Sequence, residues 1–216
     1  MRRRFDPTLY LVTDPELSRG RVLADVVATA VIGGVTLVQL RDKGADGRAL
    51  LETARALKAV LDPQGVPLLV NDRADVAYAA GAGCHVGQTD LPPAAVRAIL
   101  GPDALVGVSL EAVEQAHSVD SVVDYVAYGP FGATATKGDA GAPIGADGLA
   151  AVRRQTMLPL IAIGGIDAHN VAAAVRAGAD GIAVVRAIMA TADPERASRE
   201  LRATIDRTKA EVEKSL

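Results

Sequence analysis

Short runs dominated by apolar residues recur along the chain, and each gives way to polar or glycine-rich residues before a stretch of helical periodicity begins. The runs cover 9–12, 36–39, 67–70, 83–86, 105–108, 122–127, 160–163 and 181–185. They are nearly continuous rather than alternating, as strands covered on both faces must be. Between them the apolar spacing predicts helices over 21–32, 76–80, 93–100, 111–118, 146–155 and 167–177, with a charged helix from 193 onward. A further helix runs through Leu50, Leu51, Ala54, Leu57 and Leu61 as far as Asp62-Pro63. Gly33-Gly34 supplies the stop signal of the first helix. Eight strands alternating with eight helices, with no linker between, predict the α/β class: one (β/α)8 TIM-barrel domain of parallel strands over residues 1–216.

Composition narrows the function classes. Half of the 216 residues are apolar, enough for a sizeable core. A net charge of -3 and a pI near 5.6 leave no footprint for nucleic acid or an anionic membrane, and the absence of Trp argues against base-stacking platforms. The one cysteine, Cys84, lies in an apolar strand and is expected to be a buried, inert thiol. Arg2-Arg3-Arg4 is interrupted by Asp6-Pro7 before any apolar segment, and the longest apolar stretch, 26–38, is too short to span a bilayer. A soluble, cytoplasmic protein is expected, with homo-oligomerisation left open.

The polar residues carry the chemistry. Gln39, Arg41, Lys43, Asn71, Asp72, Asp90, Ser109, Thr134, Thr136, Lys137 and Gly165 all follow predicted strand ends, which converge on one face of such a barrel. The stretch 128–141 combines glycines, Thr134, Thr136 and Lys137; it suits a clamp on a phosphorylated ligand, and equally a solvated connector. Asp72 and Asp90 follow adjacent strands. They could share a hard divalent cation such as Mg2+, or could simply cap the helices that follow. Arg41, Lys43, Arg73 and Lys137 around them suit a pyrophosphate. Gly164-Gly165 and the stretch after 181–185 suggest a second anion site built from backbone N–H groups. His85, His117 and His169 form no recognisable triad and are read as structural.

The pieces Gln39-Leu-Arg-Asp-Lys43, Asn71-Asp-Arg73, His85-Val-Gly-Gln-Thr-Asp90, Gly107-Val-Ser109, Thr134-Ala-Thr-Lys137 and Ile163-Gly-Gly-Ile166 stand in order at these strand ends. In that arrangement the chain resembles the thiamine-phosphate synthase family along nearly its whole length. The resemblance implies Mg2+-dependent coupling of hydroxymethylpyrimidine pyrophosphate to a thiazole phosphate, carboxylated or not, with release of pyrophosphate. It implies that Gln39, Arg41, Lys43, Asn71, Ser109 and Lys137 serve the pyrimidine substrate, with Ser109 at its amine, and that Asp72 and Asp90 hold Mg2+. Thr134, Thr136, Gly165, Val185 and Arg186 would hold the thiazole phosphate. Lys137, Arg41 and Ser109 are the expected catalytic groups. Alternatives are a tautomerase-like barrel that binds thiazole phosphate without coupling it, or a non-catalytic sensor of a phosphorylated ligand. The chain departs from the family pattern at Gly132-Ala133, where a bulky apolar residue and often Pro are usual, and at Arg186, where Ser is usual.

Overall fold

Eight short parallel strands pair in sequence order and close on themselves, β1 hydrogen-bonding to both β2 and β8. The structure is a computed structural model that describes residues 5–119, 122–134 and 141–215. The strands are β1 Leu9–Val12, β2 Leu37–Leu40, β3 Leu68–Asn71, β4 Gly83–Val86, β5 Val106–Leu110, β6 Tyr125–Tyr128, β7 Leu160–Ile163 and β8 Gly181–Val184. The helices between and after them are α1 Leu23–Ile32, α2 Gly47–Leu61, α3 Ala74–Ala80, α4 Pro93–Leu100, α5 Gln115–Ser118, α6 Gly145–Arg153, α7 Val171–Arg176, α8 Arg186–Met189 and α9 Pro194–Glu213. The expected (β/α)8 TIM barrel is therefore present. α8, a four-residue helix directly after β8, is an addition to the predicted elements. Among the described residues no helix is long and apolar enough to cross a membrane.

The strands divide the apolar residues into two cores because successive side chains point to opposite faces. Leu9, Leu11, Val38, Leu40, Val70, Cys84 and Val126 pack outward against the helices. Tyr10, Val12, Leu37, Leu69, Leu105, Tyr125, Ala127, Ile161 and Ala183 fill the barrel. α2 shows how the helices are laid on. Asp46 accepts from Arg48 N and Ala49 N, both at 2.9 Å, and Leu50, Ala54, Leu57 and Leu61 are buried on one face. Inside the barrel Gly107 makes room for Tyr125, whose ring a Cβ at position 107 would overlap. Tyr10 meets that ring edge-on at 6.0 Å.

The N-terminal ends of the strands are locked by two matching ion pairs. Asp124, just before β6, accepts from Val106 N at 2.8 Å and from Arg97 of α4 at 2.7 Å. Asp180, just before β8, accepts from Leu160 N at 2.8 Å and from Arg153 of α6 at 2.6 Å. Each arginine spends its other N–H groups on backbone carbonyls, Arg97 on Val122 and Gly101, Arg153 on Thr156 and Leu158. At the seam between β1 and β8, Lys209 of α9 donates to Asp180 O at 2.6 Å and Thr8 Oγ1 at 3.2 Å.

Candidate active site

At the C-terminal ends of the strands the barrel ends in polar side chains. Gln39, Asn71 and Ser109 lie within β2, β3 and β5 rather than after them, so their side chains are held by the barrel itself. Arg41 and Lys43 follow β2, and the backbone N–H of Arg41 donates to Thr13 Oγ1 at 3.0 Å. Asp72 follows β3 directly and adopts φ 63, a left-handed backbone that non-glycine residues seldom take. Its N–H donates to His85 O of β4 at 2.9 Å, which holds the turn in place.

Neither aspartate caps a helix: the caps of α3 and α4 are Arg73 and Pro92. The Asp72 carboxyl instead lies beside that of Asp90, whose Oδ2 accepts from Gly87 N at 2.7 Å. Burial and the neighbouring Asp90 carboxylate push the Asp72 carboxyl up from 3.8 to about 6, against the opposing pull of Lys43 and Asn71. Lys43 Nζ stands 3.9 Å from Asp72 Oδ2 and is largely exposed. Two carboxylates in contact, with one distant ammonium to offset them, form a donor set that a hard divalent cation would relieve. Among the described residues no group of three or more His, Cys, Asp or Glu is placed to hold a metal ion by itself. Two adjacent carboxylates are a donor set that fits Mg2+, which is commonly held by one or two carboxylates with phosphate oxygens and waters.

One expected cation is spent elsewhere. Arg73 binds Asp75 through two hydrogen bonds of 2.8 and 2.6 Å, so it does not join the group facing Asp72. Thr136 and Lys137 lie outside the described residues, and Thr134 is the last described residue before them. The other flank of the mouth is built by β6 and β7. Phe131 N and Gly132 N donate to Ile163 O and Gly164 O, both at 2.9 Å, and a Cβ on Gly132 would sit 2.6 Å from Gly165 O. The glycine at 132, a departure from the family pattern, is therefore required where two backbones touch. Gly164 and Gly165 take φ 88 and 64. Val185 precedes α8, and Arg186 opens it as an exposed residue with no ion pair among the described residues. Arg21 fixes the far end of α8, donating to Thr191 O at 2.8 Å and to Met189 O.

Sequence reasoning did not single out Tyr10, Tyr125 or Gln88, and it read His85 as structural without its partners. Tyr10, Tyr125 and His85 lie inside the barrel, joined end to end between Gln39 and Ser109. Gln39 Nε2 donates to Tyr10 Oη at 2.6 Å, and Tyr10 Oη lies 2.9 Å from Tyr125 Oη. Tyr125 Oη is 2.8 Å from His85 Nδ1, and His85 Nε2 is 2.9 Å from Ser109 Oγ. Burial pushes the His85 imidazole down to about 4, despite the opposing charge of Asp90, and drives both tyrosines well above their ordinary range. Gln88 Nε2 donates to Ser109 O at 2.6 Å. Cys84 is buried as expected, its thiol pushed up to about 12 by burial. A cleft of about 500 Å³ bordered by Lys58, Tyr78 and Asp103 opens at the opposite end of the barrel and contains none of these residues.

The comparisons with known proteins bear on the fold and the family. Residues 9–188 match the family model described as thiamine monophosphate synthase. A thiamine-phosphate synthase of Xanthobacter autotrophicus is 56% identical over 95% of this chain and 98% of its own. One of Azorhizobium caulinodans is 52% identical over 94% of this chain and 96% of its own. The solved structure of thiamine phosphate pyrophosphorylase from Pyrococcus furiosus superposes with a TM-score of 0.86 at 32% identity, covering 94% of this chain and 97% of that one. A 3-hexulose-6-phosphate synthase, 21% identical with a TM-score of 0.66, shares the fold alone. With a match along nearly its whole length and a polar barrel mouth of the expected kind, the chain belongs to the thiamine monophosphate synthase family of transferases.

Proposed function

We propose that this transferase joins hydroxymethylpyrimidine pyrophosphate to a thiazole phosphate at the mouth of the barrel, with Mg2+ at Asp72 and Asp90. The observation that carries the reading is the Asp72–Asp90 contact, held by a left-handed backbone turn instead of serving as a helix cap. When bound, Mg2+ neutralises charge on the pyrophosphate as it leaves. Gln39, Asn71 and Ser109 orient the pyrimidine from the strand ends, while Arg41 and Lys43 face the pyrophosphate from the β2 loop. Lys137 adds a further cation to the leaving group. Thr134, Thr136, Gly165, Val185 and Arg186 hold the thiazole phosphate on the opposite flank.

The carbon–oxygen bond to pyrophosphate breaks with its electron pair leaving on oxygen. The thiazole nitrogen then donates its lone pair to the resulting pyrimidine-methyl cation. This order suits a site whose polar groups face a departing anion and which offers no activated nucleophile among the described residues. The whole cycle would take place in the cytoplasm. Pyrophosphate release with both substrates, measured against Mg2+ concentration, tests the reading. Asp72→Ala and Asp90→Ala should each lower turnover about a hundredfold or more and shift the Mg2+ dependence upward. Wild-type turnover with an unchanged Mg2+ dependence would remove the metal from these residues.

A further inference from the structure

The hydrogen bonds inside the barrel have a direction, and it can be counted proton by proton. Gln39 Nε2 donates to Tyr10 Oη, so the single Tyr10 proton is left for Tyr125 Oη, 2.9 Å away. Tyr125 Oη accepts that proton and gives its own to His85 Nδ1 at 2.8 Å. Nδ1 is then an acceptor, the ring proton sits on Nε2, and Nε2 donates to Ser109 Oγ at 2.9 Å. A doubly protonated ring would break the order. Its Nδ1–H would claim Tyr125 Oη, Tyr125 would have to donate back to Tyr10, and the Tyr10 proton would have no acceptor. Among the described residues no buried side-chain polar atom lacks a partner.

All four interior members are shielded: Tyr10 and Tyr125 are 1% and 0% exposed, Gln39 and His85 4% and 6%. Water therefore offers little alternative to these bonds. The Ser109 backbone is held separately, because its carbonyl accepts from Gln88 Nε2 and the Gln88 Oε1 accepts from Gln115 Nε2 at 3.2 Å. The hydroxyl is what remains adjustable at Ser109, and one of its lone pairs is occupied by His85.

We propose that Gln39, Tyr10, Tyr125 and His85 form a polarised relay that fixes His85 as the neutral Nε2–H tautomer and thereby turns the Ser109 hydroxyl proton outward, to donate to a ring nitrogen of the pyrimidine substrate. His85 and Tyr125 are positioning residues in this scheme, acting through Ser109. The inference rests on the synthase reading of the mouth, and it assigns Ser109 a donor role toward a ring nitrogen, where the family resemblance implies contact with the amine.

Nitrogen NMR on protein labelled at its three histidines tests the relay without any substrate. In the wild type, His85 should carry its proton on Nε2, with Nδ1 bare. Gln39→Glu keeps the size of the side chain but makes it an acceptor toward Tyr10, which reverses every bond and should move the proton to Nδ1. A wild-type Nδ1–H signal, or a tautomer unmoved by Gln39→Glu, overturns the proposal. Tyr125→Phe should raise the KM of the pyrimidine pyrophosphate about tenfold and leave kcat and the thiazole-phosphate KM within about twofold. An unchanged pyrimidine KM overturns the link to Ser109. A tautomer that switches as stated in a protein that releases no pyrophosphate from the two substrates would support the relay and refute the synthase reading instead.

Discussion

At the N-terminal ends of the strands Asp124 and Asp180 each meet an arginine, whereas at the C-terminal ends Asp72 and Asp90 meet each other. The first arrangement is complete. Each carboxylate accepts a guanidinium and a backbone N–H, and each guanidinium fills its remaining donors with carbonyls. The second is unbalanced, with two like charges pressed together and one lysine at 3.9 Å. The difference separates a balanced contact from an unbalanced one more clearly than residue type does. A carboxylate whose partners are all protein groups holds the fold, and one whose charge the protein does not answer is, in the function proposed above, where the metal binds.

The largest effect should come from breaking a complete pair. Arg97→Ala leaves Asp124, only 8% exposed at its side chain, without its counter-charge. The expected loss is ~3–5 kcal/mol of unfolding free energy in urea, with turnover per folded molecule unchanged. Turnover that fell along with stability would mean that the two ends are not independent. Gly107→Ala strikes midway, where the new methyl overlaps the Tyr125 ring. Overpacking of this kind costs ~1–3 kcal/mol; thermal unfolding checks the stability. A raised KM confined to the pyrimidine substrate would show that the damage reaches the mouth.

The smallest effect has the opposite sign. A carboxyl raised from 3.8 to about 6 in the folded protein favours folding below its unfolded value, and that contribution is lost as pH rises through about 6. Above that range the ionised Asp72 is a liability, so Asp72→Asn should stabilise the metal-free protein. The full shift corresponds to ~3 kcal/mol, and solvent screening of a part-exposed carboxylate reduces it to ~1 kcal/mol. The gain should be present at about pH 8, vanish below about pH 4, and shrink when Mg2+ is added. Calorimetric melts across that range decide it. Equal stability of the two proteins at about pH 8 would mean that the mouth is as well balanced as the base.

The barrel was legible because buried parallel strands must be continuous apolar runs, and all eight runs became strands. Local competition blurred the edges. The helix expected over 111–118 contracts to Gln115–Ser118 because Gln115 Oε1 takes Glu111 N and Ala112 N at 2.7 and 3.1 Å, a side-chain bond that replaces a helical turn. α8 escaped notice because four residues show no period. The strand-end polar residues were readable from position, but their states were not. Nothing in the spelling of Asp72 reveals its left-handed backbone, and Tyr10 and Tyr125 stand 115 positions apart, each reading as core. His85 looked structural for the same reason. Its partners are assembled only when the sheet closes.

The seam where Lys209 reaches both Thr8 and Asp180 bears on how the molecule is made. A ribosome delivers β1 well before β8 at Gly181–Val184 and before the helix Pro194–Glu213 that carries Lys209. Once β2 has paired, β1 keeps one free edge until β8 is made, a row of N–H and C=O groups open to any other strand. Tyr10 sits on that strand, exposed until the ring closes. The ring cannot close before β8 and α9 have both been made, and until then the β8-facing edge of residues 9–12 stays unpaired.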